Sequence, residues 1–271
     1  MARRSVRTKR TNPWLVFLAP MCLGVILLAG WVLATTPGGI PKYLLPSPMA
    51  VAQELWDGLF VYRDLWGYMW VTLSEALTGA LVGFLIAVPL AVVIYRSRIA
   101  SAATLPFLGA TQAIPAIALA PLLALWVGYG MSGKVVLCAL MVFFPILVSS
   151  VVGFRHIDPE VLSAAQVDGA GSLATLFNIE IPLALPNILS GVRNGFTLSV
   201  TGAVVGEMVI GARDLGLGSL LTVQVSAFNI ARTFSIIIIL VLIATTLYTI
   251  VSIIERRWSD LTKPLSEGDS R

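Results

Sequence analysis

Six stretches of this chain run for about twenty residues almost without charge: about Trp14 to Thr35, Thr72 to Tyr95, Leu105 to Val127, Val135 to Val152, Pro186 to Ile210 and Phe234 to Ile254. As a helix, each is long enough to cross roughly 30 Å of hydrocarbon. Hydrocarbon offers no partner to backbone N–H and C=O groups, so such a segment must satisfy them internally. The expected fold is therefore all-α and polytopic, with about six transmembrane helices. At 57% hydrophobic residues and a mean hydropathy of +0.90, the 271-residue chain is too apolar for a soluble domain.

The net charge of +4 could fit nucleic acid, but the placement of Lys and Arg follows membrane orientation instead, and no nucleic-acid partner is expected. Arg3, Arg4, Arg7, Lys9 and Arg10 precede the first run. With that end in the cytoplasm, alternation puts Arg96, Arg98, Arg155, Arg256, Arg257, Lys263 and Arg271 on the same side. Lys42, Arg63, Lys134, Arg213 and Arg232 then fall outside. Residues 1–13 and 258–271 become cytoplasmic tails around a membrane domain at 14–257. Trp56, Tyr62, Trp66, Tyr68, Trp70, Trp126 and Tyr129 sit near run ends, where amphipathic rings are favoured. Arg3-Arg4 before an apolar run resembles an export signal, but the run is too long and lacks a small-residue cleavage site, so it reads as an uncleaved first span.

Little else carries chemistry. Cys22 and Cys138 lack CxxC or His-ligand spacing and read as packing residues. His156, the single histidine, reads as a surface contact, and no metal is expected. Gly128 to Lys134 has phosphate-loop spacing, but Val135 replaces the Ser/Thr that would ligand magnesium and no strand precedes the loop. No nucleotide is expected in this chain. Sparse Asp, Glu, His and Cys supply no cluster for a membrane enzyme.

Local signals add detail. Ser47-Pro48 starts a helix bearing Val51, Leu55 and Leu59 at helical spacing, expected on the outer surface. Pro106, Pro115 and Pro121 bend the third run, whose freed carbonyls call for burial among neighbouring helices. The longest polar interruption, 153–182, contains a helix started by Asp158-Pro159 and Glu160 and ended by Gly169 and Gly171. Ala164 and Ala165 would form a small close-packing surface there, ringed by Ser163, Gln166 and Asp168. Residue types alone leave this segment either an ordinary connector or a docking knob. Gly211, Gly216 and Gly218 predict a turn feeding a short helix outside.

On a helical wheel of the fifth run, Gly191, Gly195, Gly202 and Gly206 share one face, two small-xxx-small pairs suited to close packing. Opposite lie Ser190, Arg193, Asn194, Thr197, Thr201 and Glu207. This arc either lines a solute path, with Arg193 toward the cytoplasm and Glu207 toward the outside, or Arg193 snorkels and Glu207 caps or pairs near the outer end. Glu75 and Thr78, with Thr111 and Gln112, are candidates for the same cavity or for helix–helix hydrogen bonds.

The segment Leu162 to Gly169, followed by Ile179-Glu180-Ile181-Pro182, resembles the cytoplasmic "EAA" motif of ABC importer permeases, with Ser163 where the family usually has Glu. Leu45-Pro46-Ser47-Pro48, Ala113-Ile114-Pro115, Ala120-Pro121-Leu122, Phe143-Phe144-Pro145-Ile146, Asp168-Gly169-Ala170, Ile181-Pro182-Leu183-Ala184-Leu185-Pro186 and Gly206-Glu207-Met208 leading to Leu215-Gly216-Leu217-Gly218 extend the likeness. In this order they are similar to the nitrate/sulfonate/taurine type of permease, a binding-protein-dependent transport system inner membrane component. The resemblance implies a type I ABC importer fold in a bacterial inner membrane, two permease copies, an external solute-binding protein, and two cytoplasmic ATPases that bind the ATP and Mg. It implies that Ser163, Ala164, Ala165, Gln166, Asp168, Gly169 and Gly171 couple to the ATPase; the contact of the missing glutamate does not carry over. The solute would be small and polar, from sulfonate-like anions to vitamin-precursor heterocycles. The alternative from the residues is a stand-alone secondary transporter or channel, which would show broken helices or charged groups within the span.

Overall fold

The structure, a computed structural model, describes residues 13–111, 116–211 and 215–262. Among these there is no strand. The helices in chain order are α1 (Pro13–Ala34), α2 (Pro48–Trp56), α3 (Leu65–Arg96), α4 (Arg98–Thr111), α5 (Ala120–Trp126), α6 (Met131–Arg155), α7 (Pro159–Val167), α8 (Ser172–Thr175), α9 (Ile181–Val209), α10 (Leu217–Ser226) and α11 (Ile230–Thr262). Single π turns at Asp57–Val61 and Leu176–Glu180 extend α2 and join α8 to α9. Among the described residues, four helices are long and apolar enough to cross a membrane: α3, α6, α9 with its α8 extension, and α11.

Helix α6 lies between α3 and α9 because both neighbours present glycine to it. A Cβ built on Gly79 of α3 would fall on Cys138 Cβ and lie 2.9 Å from Val135 O; on Gly83 it would lie 2.8 Å from Ala139 O. On α9, the corresponding approaches are 2.7 Å from Gly191 to Ser149, 2.9 Å from Gly195 to Val142, 3.1 Å from Gly202 to Cys138 and 3.3 Å from Gly206 to Lys134. Backbones this close gain dispersion contacts along their length, the usual basis of helix association in lipid. The glycine face of α9 thus packs on α6. Its counterpart on α3 was legible as Gly79-xxx-Gly83, a pattern the reading of the sequence passed over.

Helices α3, α6 and α11 run in one direction and α9 in the other, giving the bundle two ends. One carries α7 and α8; the other carries α2 and α10. Since α3 finishes at the first end and α6 starts at the second, residues 97–130 must cross back between them. They do so in pieces, where a single bent helix over Leu105 to Val127 was expected: α4, a 3-10 turn at Ala116–Leu119, and α5, with residues 112–115 (Gln112 and Pro115 among them) outside the described residues. Burial is also one-sided. Ala120, Leu123 and Ala124 pack against Leu137 and Ile210, while Leu122, Leu125 and Trp126 are exposed.

Three further expectations shift. Helix α3 begins at Leu65 and α9 at Ile181, both ahead of the apolar runs; for α9, Pro182 sits in the first turn, where its missing N–H leaves no bond unmade. Cys138 packs inside and its Sγ approaches Ser199 O at 3.5 Å, but Cys22 is exposed on α1. Lys134 was expected in an outer loop; it lies within α6 and is 0% exposed, its ammonium paired with a carboxylate on α3. The α10 end carries exposed Trp56, Tyr62, Trp66, Trp70, Trp126 and Tyr129.

Candidate functional site

At the α7 end, Asp158 accepts from Glu160 N at 2.9 Å and Pro159 fills the first turn, so α7 starts as its residues dictate. It stops at Gly169, whose φ of +78° suits a residue without a Cβ. Gly169 N donates to Gln166 O at 3.1 Å and Ala170 N to Ala165 O at 3.0 Å, satisfying carbonyls that the helix end would leave open. Ser163 Oγ donates to Pro159 O at 2.8 Å. Ser163, Ala164, Gln166 and Asp168 are exposed, whereas Ala165 is buried against its own chain. Gly171 stands at the cap of α8 in open space.

Apolar side chains that the sequence reading missed share this knob. Val167 is 87% exposed, and Val161, Leu173 and Phe177 are exposed as well. Leu173 and Phe177, four residues apart on a helix, fall on one face, a spacing that could have marked them.

Arg96, at the end of α3, holds the knob to the bundle. Its guanidinium reaches Glu180 Oε2 at 2.9 Å, Ser172 Oγ at 2.5 Å and Ser172 O at 2.8 Å. From sequence it had counted only as one positive charge. Arg155, at the end of α6, donates to Ser101 Oγ at 2.6 Å and ties α4 to the same end.

The polar arc of α9 divides. Asn194 and Thr201 are exposed, and Thr197, half-buried, donates to Arg193 O at 3.1 Å. Arg193 is not free: it pairs with Glu255 of α11 at 2.7 Å, reaches Ser190 Oγ at 3.4 Å, and lies over the Tyr248 ring at 5.1 Å from its centroid. This is a cation–π contact with an ion pair at its edge. Thr245 and Thr249, on either side of Tyr248 along α11, are exposed, and Thr249 Oγ1 donates to Thr245 O at 2.7 Å.

Glu207 does not belong to that surface. It is buried, accepting from Thr72 Oγ1 at 2.6 Å and from Gly218 N. Close by, Glu75 accepts from Lys134 Nζ at 2.7 Å, both side chains shut away from solvent. So Glu75 and Glu207 are internal ties rather than cavity walls, because in low dielectric a carboxylate is stable only beside such donors. Thr78 is exposed on α3, and Gln112 and the side chain of Thr111 fall outside the described residues.

Known proteins resemble this arrangement. The family model described as "Binding-protein-dependent transport system inner membrane component" matches residues 79–260. The riboflavin transport system permease protein of Chloroflexus aurantiacus is 39% identical over 256 residues, covering 93% of this chain and 94% of the relative. The formylaminopyrimidine transport permease protein of Halalkalibacterium halodurans is 31% identical over 229 residues, 83% of this chain and 88% of its own. The taurine transport system permease protein of Escherichia coli is 27% identical over 198 residues, 72% of each. Among solved structures, the inward-facing MetNI methionine ABC transporter superposes with a TM-score of 0.63 at 20% identity, over 72% of this chain and 95% of that one, which speaks to the fold.

Proposed function

Because the chain belongs to the family of binding-protein-dependent transport system inner membrane components, we propose that it forms the solute path of an ATP-driven importer and is worked from the cytoplasm through residues 153–182. The chain is a permease, not an enzyme. On this reading a second copy of the chain completes the path. Two ATPase subunits, which bind the ATP and Mg, dock on the knob, and an external binding protein delivers solute at the α10 end. Both tails, 1–13 and 258–271, then lie in the cytoplasm around the membrane domain at 14–257.

The observation that carries the proposal is the α7 knob. A capped, glycine-closed helix and the α8 segment that follows it expose Val167, Leu173 and Phe177, where a lone connector would bury them or replace them with polar residues. Ser163, Ala164, Gln166, Asp168, Gly169 and Gly171 supply its rim. The α8 segment that follows α7 is braced to α3 through Arg96, bonded to Ser172 and Glu180, so force passed along it enters the bundle directly. Ala165 supports the knob from beneath.

For the path we assign the arc of α9 formed by Asn194, Thr197 and Thr201, with Tyr248 and the Arg193–Glu255 pair at one end. Since Arg193 is neutralised, this wall suits a polar solute that needs hydroxyls and a π face, such as a vitamin-precursor heterocycle, and less well a sulfonate needing an open cation. A stand-alone transporter would also carry charges within its spans. Here Glu75, Lys134 and Glu207 are engaged with one another's helices and with α10, which favours a structural duty.

The deciding experiment is purification of the tagged chain from its native host in mild detergent, with the stoichiometry of co-purifying proteins measured by mass spectrometry. An ATPase at one copy per permease is expected. Recovery of the chain alone, under conditions that preserve a known importer, would overturn the reading.

A further inference from the structure

Helix α10 starts without a cap of its own. Its first amides have no acceptor within the helix, and Gly216 at the cap position makes no side-chain bond. The acceptors come from two spanning helices. Leu217 N donates to Thr72 Oγ1 of α3 at 2.8 Å, and Gly218 N donates to Glu207 of α9. Thr72 in turn donates to Glu207 Oε1 at 2.6 Å, so hydroxyl and carboxylate form one unit joining three helices. The glycines flanking Leu217 make the approach possible: a Cβ on Gly216 would overlap the Glu207 carboxylate, and one on Gly218 would lie 2.9 Å from Glu207 Oε2. All of this is buried, where water cannot compete for the bonds.

We propose that Thr72 and Glu207 are positioning residues for transport, stapling α10 to α3 and α9 so that the short helix travels with that pair when the α7 knob is displaced. The inference rests on the importer reading for its purpose and on geometry for its existence. At the opposite end the same two helices are joined through Arg96, Glu180 and Ser172. The pair is thus cross-braced at both ends with α6 packed between, so a push on the knob arrives at α10 as a rigid displacement. What it moves there is a short helix and its exit turn with Val223, Val225 and Phe228 exposed. Phe228 holds a φ of +58°, the left-handed turn that closes α10, with Phe228 N donating to Val225 O at 3.1 Å and Asn229 N to Gln224 O at 3.0 Å.

The test places spin labels at Val223→Cys on α10 and Leu81→Cys on α3 in a Cys22→Ser background, with the full chain in phosphatidylethanolamine–phosphatidylglycerol vesicles. A single narrow distance distribution is expected. Thr72→Val should broaden it and Thr72→Ser, which keeps the hydroxyl, should restore it; Gly218→Ala, crowding the carboxylate from the other side, should broaden it independently. A distribution equally narrow in Thr72→Val and Gly218→Ala would overturn the staple. In the complex with its ATPase, the distance should stay fixed on vanadate trapping, and Thr72→Val should abolish stimulation of ATP hydrolysis by the external binding protein. A distance that changes on trapping, or full stimulation in Thr72→Val, overturns the proposal. If no ATPase binds the chain at all, the importer reading fails while the vesicle measurement still decides the staple.

Discussion

Arg96 and Glu180, 84 residues apart in the chain, meet at 2.9 Å where α3 ends and the extension of α9 begins. The guanidinium also spans both oxygens of Ser172, a planar fork that lysine cannot reproduce. Removing it leaves a nearly buried carboxylate without its donor. Arg96→Leu is expected to lower the stability of the detergent-solubilised chain by about 1–3 kcal/mol, toward the lower figure because Arg96 is partly exposed. Arg96→Lys should recover less than half of that. Denaturation followed by circular dichroism measures both, and equal stability of all three proteins would show that the fork holds nothing.

At Gly169 the backbone is left-handed, yet nothing stands within 4 Å of the point where a Cβ would lie. Any penalty is therefore conformational rather than steric, roughly 1–2 kcal/mol for a side-chain-bearing residue. Gly169→Val should weaken retention of the ATPase in a pull-down, while Gly169→Asn, which tolerates this conformation, should bind close to wild type. Indistinguishable binding by the two would mean that the turn is not what the partner requires.

The glycine contacts predict a sharp contrast along α3. Gly79→Val must displace Cys138 and the α6 backbone, an overpacking worth about 1–3 kcal/mol. Gly67→Ala on the same helix meets nothing and should change stability by no more than about 0.5 kcal/mol. Thermal unfolding in one detergent compares them directly.

Glu75 and Lys134 form a pair with both side chains 1% exposed. Lys134→Met or Glu75→Gln alone should destabilise by up to about 3–5 kcal/mol, since each removes one member of a buried charge pair. The double substitution Glu75→Gln with Lys134→Met should be milder than either single change. A strictly additive double-mutant cycle would contradict a direct pairing.

Along the assigned path, Thr197→Leu and Thr201→Leu should each reduce uptake of the solute carried by the cognate binding protein, with assembly intact by size-exclusion chromatography. Normal uptake by both variants would remove α9 from the path.

The long helices were legible because an apolar run of spanning length admits few other structures, and α7 because Asp158, Pro159 and Gly169 each act locally. The buried charges were not. Lys134 follows Gly128, Gly130 and Gly133 and reads as part of a loop, and only Glu75 from a distant helix makes its burial tolerable. Glu207 was legible as polar but not as inward-facing, because its partners Thr72 and Gly218 come from other helices. Arg193 gave no hint of Glu255, 62 residues away. Pairings between distant helices are set by packing, and a wheel drawn for one helix cannot contain them.

Because α3 and α9 meet α6 through hydrogen atoms where other helices carry side chains, these contacts can vary in one direction only. Every coding change at Gly79, Gly83, Gly191 or Gly195 adds at least a Cβ, whatever its polarity or charge. Conservative and radical replacements therefore become alike there, and an inherited change is expected to register as reduced abundance of the protein before any effect on what it carries.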